Sequence, residues 1–395
     1  MMTTRSARPI TPLIWKLNNR RPYNAAKIYR QRNRTQEHYL SRKAMIQPWT
    51  ATCVQVLNHT VNHVQTREEA MEIVNRSLDR WEILILGGIA PGQARPNNPN
   101  NLLLFPEFAL TGFPILESTD EWIEKACFDI PGPQTERLQS MAQKYKLFIA
   151  ANSYERDEAW PGIYFNCSYL IDPSGEIILK YRRINTLHSV SPHDLMDKYL
   201  DMYGIEGTFP VADCELGKIA MMPCAEIMYP EAARAFMMRG AEVILHPTSD
   251  SGAMDLWAWE SAKKVRAAEN MLFLVSCNAG GSVGGAIPGN FNMGHSKIFD
   301  FNGRLLGESG GPGETVLPSA TIDIEELRRE RTDCMAYNRI LSQRHDIYRG
   351  VYDAAQFIAP NAYLENRMPS RKASVDLLKG SLKNATKRGS ITPPE

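Results

Sequence analysis

Apolar, strand-length runs alternate with amphipathic helical stretches over most of this 395-residue chain. Residues 67–81, for example, place Ala70, Ile73, Val74 and Leu78 on one face of a helix. Such alternation is typical of helices that cover sheets, so it predicts an α/β fold. The predicted strands are residues 50–56, 101–107, 148–154, 219–222, 243–246 and 272–276, and residues 164–183 supply further strands around a hairpin turn at 172–175. A final hairpin is predicted at 291–306. The other predicted helices are residues 133–145 and 257–270.

Cys224 follows one of these predicted strands and precedes a helix that opens at Tyr229, Pro230 and Glu231. A thiol just after a strand can lie at a sharp turn, where the backbone N–H of Ala225 is able to donate to an oxyanion. Free cysteine is also among the most buried residue types, so a structural cysteine is the alternative. The local pattern leaves both interpretations open.

Two charged segments suggest partners for such a thiol. Glu107 ends an apolar strand, where poor hydration should raise its pKa and allow it to take a proton from a thiol. Residues 177–183 form a strand that ends in Lys180, Arg182 and Arg183, and these cations could stabilise a thiolate. The alternative for both segments is a solvated strand end.

Taken together and in this order, the three segments resemble the nitrilase superfamily of carbon–nitrogen hydrolases. The resemblance covers about residues 48–325 and continues through the segments at 239–248, 266–270 and 294–303. It implies a four-layer αββα sandwich without a cofactor or a metal. It also implies a glutamate base, a lysine and a cysteine nucleophile in one site.

The chain departs from the resemblance at the lysine, because Arg183 occupies that position. Lys180 does not replace it, since the two-residue alternation of a strand turns Lys180 to the opposite face. Arginine can hold an oxyanion, but its pKa above about 12 prevents it from lending a proton readily. Either Glu107 shuttles every proton while Arg183 acts electrostatically, or the chain is a catalytically impaired member that serves as a binding or assembly protein.

The expected reaction is hydrolysis of a non-peptide amide to an acid plus ammonia or an amine, through a thioester on Cys224. An N-carbamoyl hydrolase and a nitrilase are the alternatives. Candidate substrate-binding residues lie between the cation and the nucleophile or after the strand at 243–246, and ordinary loop or core positions are their alternative. They are His188, His193, Tyr199, Asp201, Thr248 and Trp257. Asp201 is also the candidate for a second carboxylate beside Arg183, whereas Glu226 is expected to brace the turn.

Composition narrows the possible partners. The chain has 45 Lys and Arg against 44 Asp and Glu, which leaves no bulk charge to indicate a nucleic-acid partner. Its seven cysteines show no CxxC spacing, which indicates a reducing compartment rather than a disulfide framework or a zinc site. No apolar run approaches a membrane span and no signal core is evident, so we expect a cytoplasmic protein.

The two ends of the chain differ from its middle in composition and in predicted role. Residues 1–43 hold eleven Lys and Arg and one acid, Glu37. A basic arm can bind nucleic acid or membranes, but a complete hydrolase core follows, so we expect residues 1–47 to pack on a neighbouring subunit. Residues 48–325 are the predicted hydrolase domain, and residues 326–395 are predicted to be a helix and tail that contact another subunit. The expected assembly is a homo-oligomer, a dimer or larger.

Overall fold

The predicted alternation of strands and helices is present in a computed structural model of the chain. The structure describes residues 45–89, 100–186, 189–251, 256–285, 291–363 and 371–394. The described residues from 46 onward form one compact unit. Most of the basic extension, residues 1–44, lies outside the described residues.

The element bounds follow the chain in order. The strands are β1 (Trp49–Cys53), β2 (Asn58–His59), β3 (Asn100–Leu104), β4 (Phe148–Glu155), β5 (Phe165–Ile171), β6 (Ile177–Arg182), β7 (Ala212–Cys214), β8 (Gly217–Met221), β9 (Val243–Thr248), β10 (Phe273–Asn278), β11 (Ser282–Val283), β12 (Lys297–Phe299), β13 (Leu305–Glu308) and β14 (Ser319–Ile322). The helices are α1 (Arg67–Ile89), α2 (Thr119–Ala126), α3 (Pro133–Tyr145), α4 (Met196–Thr208), α5 (Pro230–Met238), α6 (Leu256–Asn270), α7 (Ile324–Thr332), α8 (His345–Ala354) and α9 (Arg371–Arg388).

Within the described residues, two six-stranded sheets carry the fold, one in the order β14-β1-β3-β4-β5-β6 and the other in the order β13-β12-β10-β9-β8-β7. Strands β1, β3 and β4 are parallel, and so are β8, β9 and β10. Parallel neighbours need a crossover connection, usually a helix. Helices α1, α2 and α3 lie in the connections of the first sheet, and α5 and α6 lie in those of the second.

The two sheets face each other across a continuous apolar layer. Side chains such as Ala51, Leu104 and Tyr181 from the first sheet share one buried cluster with Met221 and Leu274 from the second. Strand β9 is buried along its whole length, as expected for a strand covered on both faces. Burying a large apolar side chain contributes about 1.5–3 kcal/mol, so this layer is a major source of stability.

Helices cover the outer face of each sheet. Leu78 of α1 and Leu138 of α3 pack with Ile149 of β4 on the first sheet. Phe236 of α5 and Ala267 of α6 belong to the cluster of the second sheet. The layers therefore run helix, sheet, sheet, helix, and the predicted four-layer αββα sandwich is confirmed.

The predicted bounds of individual helices, turns and strands agree with the structure in some places and not in others. The prediction for residues 133–145 is confirmed, because α3 has these bounds and Pro133 occupies its first turn. The predicted hairpin turn at 172–175 is also confirmed, with Gly175 at φ 86° and its N–H bonded to the Asp172 carbonyl. The predicted strand from residue 291 is wrong before Lys297, because the Gly294 and Ser296 amides bond to loop partners instead.

The C-terminal segment contributes three helices after β14 within the described residues, α7, α8 and α9. Ile324 and Leu327 of α7 are part of the sandwich core. Helix α8 has no buried residue. None of the helices in the described ranges is both long and apolar enough to cross a membrane.

Candidate active site

Glu107, Arg183 and Cys224 meet at the ends of strands from both sheets. Glu107 follows β3 and Arg183 follows β6 in the first sheet, whereas Cys224 follows β8 in the second. All three side chains are buried. Arg183 Nη1 lies 3.0 Å from Glu107 Oε1, and the thiol is hydrogen-bonded to the Glu107 carboxylate. The structure thus brings together three residues that lie far apart in the sequence.

The Glu107 carboxylate is held from both sides. Its Oε1 accepts hydrogen bonds from Asn166 Nδ2 at 2.8 Å and from Arg183 Nη1. Its Oε2 accepts one from Ser249 Oγ at 2.9 Å. The backbone N–H of Glu107 donates to the Thr248 carbonyl at 3.4 Å, which ties the first sheet to the end of β9. The carboxylate is therefore fixed before any substrate arrives.

Burial is the largest influence on the pKa values of Glu107 and Cys224. Burial raises the pKa of Glu107, and the Arg183 charge with hydrogen bonds from Asn166, Cys224 and Ser249 only partly offsets that rise. Burial, reinforced by the Glu107 charge, raises the pKa of Cys224 to about 12. The thiol therefore stays protonated at neutral pH, and a base must remove its proton before the sulfur can attack.

Arg183 is a permanent cation in this site. Burial alone would lower its pKa, but the charges of Glu107, Cys224 and Glu226 raise it above the ordinary value. Its Nε donates to the Asn185 carbonyl at 3.0 Å, which fixes the plane of the guanidinium. Lys180 faces away as predicted, because its Nζ lies 2.6 Å from Glu155.

The backbone around Cys224 forms an unusual turn. Cys224 adopts φ 48°, in the left-handed region that non-glycine residues rarely occupy. It opens a short 3-10 helix, Cys224–Met228, and Ala225 lies in its first turn. The first N–H groups of a helix have no partner within that helix. The Ala225 amide therefore lies among the N–H groups that this short helix leaves without an internal partner.

His246 fastens the Cys224 turn from the neighbouring strand. Its Nε2 lies 2.9 Å from the Cys224 carbonyl, and its Nδ1 lies 2.9 Å from Ser276 Oγ. A carbonyl only accepts, so Nε2 carries the proton and Nδ1 accepts from the hydroxyl. Burial and the nearby Lys263 charge lower the pKa of His246 to about 4. The imidazole is therefore neutral near pH 7 and supports the backbone of Cys224.

Glu226 braces the same turn against the first sheet. Its carboxylate accepts from the Tyr181 hydroxyl at 2.9 Å and from the Ile184 and Asn185 amides at 3.0 and 2.8 Å. Ile184 and Asn185 directly follow Arg183. One carboxylate therefore links the segment that carries the cation to the turn that carries the thiol.

The prediction that Asp201 is a second carboxylate beside Arg183 is wrong. Asp201 is exposed on α4. The carboxylates that act on the charge of Arg183 are instead Glu107 and Glu226. Sequence spacing placed Asp201 in the correct interval, but its helix turns that side chain to solvent.

The other substrate-binding candidates are dispersed. Tyr199 is buried in an aromatic cluster and lies over the Arg182 guanidinium, with 5.9 Å between Arg182 Cζ and the ring centroid, so it serves packing. Trp257 is 86% exposed on α6 and forms neither a core contact nor an enclosed wall. His193 is half-buried, and its carbonyl accepts from Asn361. Thr248 is buried next to Glu107, as its carbonyl contact shows. His188 lies outside the described residues.

Two polar residues of the site escaped the sequence interpretation. Asn166 lies in β5, whose residues are all buried. Ser249 follows β9 and is also buried. A polar side chain inside an otherwise apolar strand must find a partner, so Asn166 carried a usable signal. Ser249 carried none, because serine is ordinary after a strand.

The whole chain was compared with known proteins. The family model for carbon-nitrogen hydrolase matches residues 50–332. A probable nitrilase from Schizosaccharomyces pombe is 26% identical over 260 residues, which cover 64% of this chain and 86% of that protein. A formamidase from Bacillus cereus is 28% identical over 207 residues, which cover 52% of this chain and 57% of the formamidase. The match thus spans little more than half of the formamidase.

Solved structures support the same fold. A Saccharomyces cerevisiae member of branch 10 of the nitrilase superfamily superimposes with a TM-score of 0.55 at 20% identity, covering 75% of this chain and 97% of that one. An amidase from Nesterenkonia sp. gives a TM-score of 0.54 at 18% identity, covering 79% of this chain and all of that one. Because the family model matches well over half of the sequence, this chain is a member of the carbon–nitrogen hydrolase family, within the nitrilase superfamily.

Proposed function

We propose that this protein hydrolyses a small, non-peptide amide to an acid plus ammonia or an amine, with Cys224 as nucleophile. The observation that carries the proposal is the buried group formed by the Glu107 carboxylate, the Arg183 guanidinium and the Cys224 thiol. A buried base beside a protonated thiol, with a fixed cation on the base, is the arrangement that nucleophilic acyl transfer requires.

The first half of the reaction forms a thioester. Glu107 takes the thiol proton while the sulfur attacks the amide carbon. The Ala225 N–H and the Arg183 guanidinium stabilise the oxyanion that develops. The carbon–nitrogen bond then breaks, and the leaving nitrogen takes the proton from Glu107.

The second half regenerates the enzyme. After the amine leaves, Glu107 removes a proton from water, and the resulting hydroxide attacks the thioester carbon. The carbon–sulfur bond breaks, the acid leaves, and Cys224 recovers its proton from Glu107. Arg183 contributes charge throughout and transfers no proton, because guanidinium does not deprotonate in proteins.

An amide is the first choice of substrate. The similar proteins include formamidases and a probable nitrilase. An N-carbamoyl compound presents a related carbonyl carbon and is the second alternative. The remaining alternative, an impaired member that binds or assembles, would retain Cys224 without turnover.

Covalent labelling tests the nucleophile and the substrate class together. Fluoroacetamide is a suitable probe, because its acetamide moiety is covalently added to the active-site cysteine in a structure of a mutant of the Nesterenkonia amidase. The full chain is incubated with fluoroacetamide, formamide, a nitrile and an N-carbamoyl amino acid, and peptide mass spectrometry locates any adduct.

We expect an adduct on Cys224 and turnover of at least one of the amides. C224A should lose turnover, whereas C334A, which removes an exposed thiol outside the site, should keep it. Turnover by C224A would contradict the proposal. A labelled Cys224 without turnover of any compound class would favour the impaired alternative.

We also propose that the two terminal segments contact a neighbouring subunit. Helix α8 supports this proposal, because Ile347 and Val351 on it are 76% and 67% exposed. Tyr348 and Tyr352 extend the same apolar surface. Residues 1–47 remain a second predicted contact.

A further inference from the structure

Ser249 occupies the position between the base and the nucleophile. Its hydroxyl donates to Glu107 Oε2 at 2.9 Å and lies 4.0 Å from Cys224 Sγ. A hydroxyl has one proton, and that proton points to Glu107. The Cys224 thiol also has a single proton, which it donates to Glu107, so its 4.0 Å contact with Ser249 Oγ is one of proximity. The backbone N–H of Ser249 is in turn hydrogen-bonded to the Cys224 sulfur.

The other oxygen of Glu107 is already occupied. Asn166 and Arg183 both donate to Oε1. Ser249 is the residue that donates to Oε2 among the described hydrogen bonds. Without that hydroxyl, the direction of Oε2 would be less well fixed, because the two bonds at Oε1 restrict rotation about the Cγ–Cδ bond without holding Oε2 itself.

A buried ion pair holds Ser249 in place. The next residue, Asp250, lies 2.6 Å from Lys263 Nζ, and both side chains are nearly fully buried. The Asp250 amide donates to Asn278 Oδ1 at 2.8 Å, and the Ser249 carbonyl accepts from Asn292 Nδ2 at 2.7 Å. A buried charge that loses its partner is strongly destabilising, so this loop has little freedom to move.

We propose that Ser249 is a positioning residue, which holds Glu107 Oε2 against the Cys224 thiol and is itself held by the buried Asp250–Lys263 pair. The inference rests on the proposed function, because it assigns Glu107 and Cys224 the roles of base and nucleophile. It adds a fourth side chain whose effect is transmitted through Glu107.

The charged and titratable groups that influence the pKa values of Glu107 and Cys224 come from several elements. Arg183 after β6 acts on both Glu107 and Cys224. Asp250 after β9 acts on Cys224, and Tyr154 of β4 faces Glu107. None of these is altered by replacing Ser249. A changed pH profile in a Ser249 variant would therefore report the lost hydroxyl.

The test measures the rate at which iodoacetamide alkylates Cys224 between pH 5 and 9, resolved by peptide mass spectrometry. In S249A, we expect about a tenfold lower plateau rate, since a hydrogen bond to a charged group is lost. The acid limb should move to higher pH, because removing a donor from the carboxylate raises the pKa of Glu107. S249T restores the hydroxyl and should recover part of both effects.

Two controls make the result specific. S77A removes a buried hydroxyl from α1, which bonds only to the Ile73 carbonyl in the described structure, and should leave the profile unchanged. The double variant D250N/K263M removes the supporting pair without leaving one charge alone, and it should lower the plateau rate as S249A does, whereas the pH position of its profile also reflects the lost Asp250 charge. An S249A profile identical to that of the unmodified protein would overturn the inference.

The outcome also separates this inference from the proposed function. If turnover requires Cys224 and Glu107 but is unaffected by S249A, the positioning role alone is wrong. If no amide is hydrolysed and alkylation of Cys224 still depends on Ser249, the positioning role stands and the hydrolase proposal falls.

Discussion

The Arg183 guanidinium and Asn166 amide donate to the same oxygen of Glu107, with N–O distances of 3.0 and 2.8 Å. Because the acceptor is shared, the Arg183 cation is one of the hydrogen-bond donors that hold the Glu107 carboxylate. An arginine at this position therefore orients Glu107 as well as supplying charge. A lysine would keep the charge but lose the planar guanidinium, whose Nε also bonds to the Asn185 carbonyl.

We expect R183K to lower kcat for the preferred amide by about 10- to 100-fold, because the shorter cation cannot bridge Glu107 and the Asn185 carbonyl at once. Steady-state kcat and KM are the measurements. K180R is the matched control, since Lys180 pairs with Glu155 instead of Glu107. Faster hydrolysis by R183K would indicate that the native site has lost its original chemistry.

The acid limb of kcat/KM should have its midpoint above 4.5, the ordinary pKa of a glutamate, because burial raises the pKa of Glu107. Activity requires the ionised base, so it is lost as the pH falls through that raised pKa. N166L removes a donor to the ionised form and should move the limb to still higher pH. A limb at or below 4.5 would contradict this assignment of the base.

E226Q should lower the free energy of unfolding by about 2 kcal/mol, because an amide NH₂ would meet donors where the carboxylate accepts them. The affected donors are the Tyr181 hydroxyl and the Ile184 and Asn185 amides. Urea unfolding at pH 7 provides the measurement. E206Q, which changes an exposed glutamate, is the control, and equal stability of the two variants would refute the bracing role.

The stability of the protein should fall between pH 6.5 and 4 partly because of His246. Its pKa is lowered from 6.5 to about 4 on folding, so the unfolded chain binds this proton first as the pH drops. The expected loss from this residue is about 2 kcal/mol at pH 5. H246Q should lack this component when unfolding free energies at pH 7 and pH 5 are compared. An identical pH dependence in H246Q would exclude His246 as its source.

The double variant I347E/V351E should reduce the mass of the assembly measured by light scattering, because two carboxylates would be buried at the proposed contact. K379E, which changes an exposed residue of α9, is the control for added negative charge. Deletion of residues 1–43 tests the basic extension by the same measurement. Unchanged mass in the double variant would remove α8 from the contact.

The sequence was most informative where side-chain chemistry and strand alternation agreed. Cys224, Glu107 and Arg183 each follow a strand, and alternation alone separated Arg183 from Lys180. The apolar strand predicted a raised pKa for Glu107, but the opposing effect of the Arg183 charge depends on a distance that the sequence does not give. The prediction of Asp201 beside Arg183 was wrong, because sequence spacing within α4 does not determine which side chain faces the site.

The left-handed backbone at Cys224 limits which nucleophiles that position can carry. At φ 48° a β-branched side chain crowds its own backbone, whereas an unbranched one is tolerated at a smaller cost. Serine therefore fits where threonine does not. At this turn, replacement of the sulfur by oxygen is therefore compatible with a primary alcohol and not with a secondary one.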